Sequence, residues 1–219
     1  METTTVSKEY ITASCVISGR VVYSNERAIF ENKTADLPGF LLSVYDHFDL
    51  QYPKFYKMDL LSKLGWLAAE LLLKEGFNAT DYRPEDTGIV LSNRNSSLDT
   101  DHKYYATIKD IPSPSVFVYT LPNIMIGEIC IRNKFKGENA FFIFESFDSL
   151  FIEQYVTTLL KTGLARTCIC GWVDLMEEEY KAGLFLVERE TIAAAKGVAA
   201  EASIFTAKNM DRIFQMLNT

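Results

Sequence analysis

The sequence predicts an α/β domain, with helices layered on a substantially parallel sheet. Three observations carry that prediction. Short apolar or β-branched runs recur along the chain, helical patterns of about ten to fifteen residues lie between them, and glycine or proline marks the junctions.

The elements follow in order. Ile11 to Val22 is β-branched and broken at Ser18-Gly19, which fits an early hairpin or a pair of extended stretches. Met58 to Lys74 is the clearest helix. Its Leu60, Leu61, Leu64, Leu67, Ala68, Leu71 and Leu72 recur at helical spacing, and Gly76 is placed to end it. Gly88 to Asn93 is a short apolar run with the mark of a buried strand, and a polar loop from Arg94 to Thr100 follows. Pro112 and Pro114 mark a further loop, and Leu121-Pro122-Asn123 opens a helical segment from Ile124 to Ile131. Ala140 to Phe144 again reads as a buried strand. It leads through Glu145-Ser146 into a helix from about Phe147 to Lys161, which Gly163 terminates. Thr167 to Val173 and Gly183 to Val187 are the last strands. An Ala-rich tail from Thr191 ends in a closing helix around Thr206 to Phe214.

Composition bounds the function. A chain of 219 residues fits one domain, here 1–219 with a short helical tail from about 190. It carries 22 Lys+Arg against 29 Asp+Glu and no basic block, so nucleic acid is not an expected partner. Leu67 to Leu73, the longest apolar helical stretch, contains Glu70 and is too short to span a bilayer. Met1-Glu2-Thr3-Thr4-Thr5 lacks the basic-then-apolar pattern of a secretory signal, so the expected location is the cytoplasm, with no membrane partner. Cys15, Cys130, Cys168 and Cys170 are too few for a disulfide framework, and Cys168-Ile169-Cys170 reads as reduced, buried strand cysteines. Glu177-Glu178-Glu179 reads as a solvated loop or helix end rather than a metal cluster. Asp99 and Asp101 lack the glycine and terminal Glu of a calcium loop. No phosphate-cradling glycine motif is present, so no cofactor and no metal are expected.

One stretch carries more. Ser113-Pro114-Ser115-Val116-Phe117-Val118-Tyr119-Thr120-Leu121-Pro122-Asn123 is followed by the apolar helix, then Lys136-Gly137-Glu138-Asn139, a strand, a sharp turn and a second helix. From about Met58 to Glu188 this order resembles the N-terminal half of the β-ketoacyl synthases, the condensing enzymes of the thiolase superfamily. The resemblance implies a thiolase-like half-domain, layered α/β/α, with a mixed, mainly parallel sheet.

In that family a strand delivers a cysteine to a tight turn before a buried helix, whose N-terminus helps hold the thiolate that accepts an acyl group. Aligned without gaps from Gly137, the cysteine position falls on Ser146, and Glu138 stands where the family usually has proline. A serine hydroxyl ionises far less readily than a thiol and needs an adjacent base. His47 and His102 lie far from it in sequence, and Glu145, as a strand neighbour, points to the opposite face. The family's catalytic histidines belong to a second half for which some thirty residues after Glu188 leave no room.

The resemblance therefore implies a truncated, non-condensing synthase-like protein of fatty-acid or polyketide synthesis, of aryl-polyene kind. It would serve as partner or scaffold for a complete ketosynthase or an acyl carrier protein, as a homo- or heterodimer. The alternative is an acyltransferase or thioesterase using Ser146. Phe144 and Phe147, with Phe141, Phe142 and Phe151, crowd the turn either as core or as the lining of an acyl or aryl pocket. The helix after Ser146 is apolar on one broad face only, through Phe151, Ile152, Tyr155, Val156, Leu159 and Leu160. That is the pattern expected where a second covering sheet is absent, or replaced by a partner with a polar interface.

Overall fold

The computed structural model describes residues 8–74, 76–197 and 202–215. Met1 to Thr5, part of the Ala-rich tail and the last four residues lie outside them.

The chain begins with a three-stranded meander, β1 (Glu9–Ser18), β2 (Val21–Ser24) and β3 (Arg27–Glu31). Its two tight turns place Gly19-Arg20 and Asn25-Glu26 in the left-handed region, the conformation that matches strand twist in a two-residue hairpin. α1 (Leu37–His47) is started by the Asp36 side chain, which accepts from Gly39 N. α2 (Leu60–Lys74) is buried on nearly every side, as its dense leucine and alanine pattern requires. β4 (Thr87–Asn93) is buried along its whole length. Then come α3 (Leu98–Thr107), the single turn α4 (Pro114–Phe117), α5 (Ile124–Asn133) and β5 (Asn139–Ile143). α6 (Ser149–Thr162), β6 (Thr167–Met176), β7 (Glu179–Arg189), α7 (Glu190–Ala195), β8 (Ser203–Ile204) and α8 (Ala207–Gln215) complete the order.

All eight strands join one mixed sheet in the order β3-β2-β1-β7-β6-β4-β5, with β8 beside the start of β1. Side chains of successive strand residues go to opposite faces. Ile169, Val173, Leu184 and Leu186 pack against α1, α2 and α5, while Cys168, Cys170, Phe185 and Val187 pack against α6 and α8. The α/β/α layering is therefore as the sequence implies.

The expected parallel majority is not. Only β4–β5 and β4–β6 run parallel, whereas β1–β2, β2–β3, β1–β7, β1–β8 and β6–β7 are antiparallel. Turns of two residues join β1–β2, β2–β3 and β6–β7, and so short a connection permits only antiparallel pairing. Other corrections are local. β3 and α1 lie in a segment that carried no assignment. The polar loop from Arg94 ends at Leu98, where α3 begins, with Asp99 and Asp101 in its first turn. β6 and β7 extend into a long hairpin that turns at Glu177, whose φ is 56°. β5 is an edge strand, half-exposed rather than buried.

Candidate functional site at the β5–α6 elbow

Gly137 fixes the entry to β5. A Cβ there would collide with the carbonyl of Thr87, so the chain can cross the start of β4 this closely only at a glycine. Lys136 N donates to Pro84 O and Ile89 N to Glu138 O, which sets β5 in parallel register beside β4. At the far end Phe144 N donates to Asn93 O at 2.9 Å, and the chain then turns through Glu145, Ser146, Phe147 and Asp148 into α6.

Ser146 is exposed at the tip of this elbow, and α6 begins three residues later, not near Phe147. Asp148 is the N-cap, its carboxylate accepting from Phe151 N at 2.9 Å. The chain's own carboxylate thus answers one of the free amides at the positive end of the helix. Among the described residues, no histidine, lysine or carboxylate hydrogen-bonds the Ser146 hydroxyl. His47 ends α1 with its ring 4.7 Å from that of Phe30, and His102 is exposed on α3.

The aromatic residues divide into two groups. Phe144 is half-buried and stacks on Phe142 at 5.9 Å, and Phe151 meets both rings edge-on at 4.8 and 5.0 Å. Tyr155 extends this ladder along α6. Phe147 turns the other way, onto the sheet, where it meets Trp172, Phe185 and Phe214. The sequence singled out Phe144 and Phe147 but gave no signal for Trp172 or Phe214. These come from β6 and α8, and only the fold brings them to the elbow.

The buried carboxylates of the molecule face elsewhere. Glu128 on α5 accepts from Tyr52, Tyr119 and Lys54, and burial followed by this carboxylate pushes the Tyr119 phenol up. Glu188 on β7, fully buried, accepts from Tyr82, Thr12 and Lys196, the last at 2.6 Å. Both are satisfied structural centres: Glu128 ties the segment of Tyr52 and Lys54 to α5, and Glu188 ties Tyr82 and Lys196 to the sheet. Burial likewise raises the thiols of Cys168 and Cys170, and pushes Cys15 up to about 12. No cluster of His, Cys, Asp and Glu arranged to hold a metal ion occurs among the described residues.

No protein-family model matches the chain, and no curated protein matches it in sequence. Solved structures do match in shape. A chain of the ishigamide ketosynthase/chain length factor superposes with a TM-score of 0.60 at 18% identity, covering 84% of this chain and 63% of that one. A chain from the complex of a type II polyketide synthase acyl-carrier protein with its ketosynthase gives 0.62 at 16% identity, covering 90% and 66%. A ketosynthase in complex with its chain length factor, from Xenorhabdus doucetiae, gives 0.54 at 13% identity, covering 83% and 79%. The chain has the thiolase-like fold of the ketosynthases. It spans 63% and 66% of the first two chains it matches. Among the described residues, no single helix is long and apolar enough to cross a membrane.

Proposed function

We propose that the protein is a non-condensing member of a ketosynthase-type assembly, acting as partner or scaffold for a complete synthase or an acyl carrier protein in polyketide or fatty-acid synthesis. The observation that carries this reading is the elbow: an exposed serine with no hydrogen-bonded base among the described residues, before a helix whose N-terminus is capped by Asp148. Two of the solved structures with this fold hold a ketosynthase with a second chain, a chain length factor in one and an acyl-carrier protein in the other.

Pairing has a physical basis in β5. Asn139-Ala140-Phe141-Phe142-Ile143 is an edge strand with neither the lysine nor the proline that soluble proteins commonly use to block such edges. Ile143 and Leu150 beside it are half or more exposed, at 50% and 57%. Antiparallel pairing of two such edges satisfies the free backbone groups and covers these side chains, either between two copies or with a synthase of the same fold. Sedimentation velocity over a range of concentrations tests this. The native chain is expected to associate, alone or with an added ketosynthase, and Ile143→Lys to weaken that association tenfold or more, roughly 1.4 kcal/mol. A strictly monomeric native chain that also fails to bind ketosynthase or carrier protein would remove the proposal. The exposed Ser146 hydroxyl favours a second reading, an acyl acceptor of transferase or thioesterase type, which acylation separates from the first.

A further inference from the structure

α8 lies across the same sheet face as α6 and is held at three points. Its first amide, Ala207 N, donates to Glu153 Oε2 of α6 at 2.5 Å. Arg212 makes a two-pronged pair with Glu26 of the β2–β3 turn, at 2.6 and 2.8 Å. Met210 and Ile213 are buried between these polar anchors.

The fourth contact is of a different kind. The ring of Phe214 rests directly on Gly183 of β7, in a notch that exists because that residue has no side chain; a Cβ there would strike the ring. From this seat Phe214 packs on Phe147 with centroids 4.8 Å apart, and Lys181 Nζ lies 4.1 Å from the Phe214 centroid. Phe147 is thereby clamped between Trp172 and Phe185 of the sheet and Phe214 of α8. Phe147 directly follows Ser146 and directly precedes the N-cap Asp148, so whatever fixes its ring also fixes the turn carrying both.

We propose that α8 is an intramolecular brace that sets the conformation of the β5–α6 elbow, with Phe214 as the positioning residue. The elbow of this chain is held from the C-terminal side by its own last helix, through an aromatic contact made possible by a glycine two elements away.

Hydrogen exchange resolved by residue tests the brace with two independent variants of the full chain. Phe214→Ala removes the ring, and Gly183→Ala leaves it intact but fills its seat. Each is expected to speed exchange about tenfold at the hydrogen-bonded amides of the elbow, Phe144, Phe151 and Ile152, together with α8, while the amides of the central β6–β7 ladder keep their protection. Phe214→Leu should restore part of the elbow protection. Faster exchange in α8 with those three amides unchanged would overturn the proposal, as would Gly183→Ala with native protection in both. Should Phe214→Ala fail to fold, Gly183→Ala and Phe214→Leu give the same comparison.

Discussion

A serine and a thiol ask different things of the turn around them. A thiolate needs only a modest electrostatic advantage, which one helix end provides, whereas a serine hydroxyl needs a base aligned with its oxygen. Neither arrangement is built around Ser146: Asp148 caps the helix end, and no basic group hydrogen-bonds the hydroxyl among the described residues. The cap itself is a testable contact. Asp148→Ala leaves the Phe151 amide without its acceptor and is expected to destabilise the protein by about 1 kcal/mol. Urea unfolding with an unchanged slope and a lower midpoint checks this; an unmoved midpoint shows that the cap contributes nothing. The turn that holds Ser146 was legible as the junction between an apolar run and a helical pattern. Asp148 was legible only as one polar residue among several, since its role depends on where α6 starts.

Elements were read best where one face is buried by local periodicity. α2, α5 and α6 announce themselves because helical spacing places their leucines, isoleucines and phenylalanines together, and Gly163 ends α6 at a φ of 79°. Edge status cannot be read that way. Ala140 to Phe144 is as apolar as a central strand, and only the sheet order reveals that, among the described residues, no strand pairs with its outer edge. β8 is short and owes its strand form to β1, far away in sequence, while β3 is fixed only by its hairpin with β2. The docking of α8 carries its own prediction at this scale. The Arg212 guanidinium beside Glu26 holds that carboxyl below its usual 4.5. A carboxyl so lowered contributes its stability fully above that value and loses it as pH falls through the lower folded value. Exchange in α8 should therefore rise as pH falls below the usual carboxylate value, after correction for the intrinsic pH dependence, and Glu26→Gln should abolish that rise. The pair is partly exposed, so the effect is small and salt-sensitive. A pH response unaltered in Glu26→Gln would assign it to another group.

At the scale of the whole molecule, the sequence conveyed the α/β/α layering and the ketosynthase likeness, both of which rest on the order of elements. It misjudged strand direction, because hairpin turns such as Asn25-Glu26 and Glu177-Glu178 are short polar pairs that resemble any surface loop. The proposed function requires that this fold persist here without condensing chemistry. Intact-mass spectrometry after incubation with malonyl- and acyl-carrier thioesters decides this, with Ser146→Ala and Ser146→Cys alongside. No adduct is predicted on the native protein, whether or not Ser146→Cys takes one up. A stable acyl adduct on the native chain that disappears in Ser146→Ala would overturn the proposed function and make Ser146 a working nucleophile.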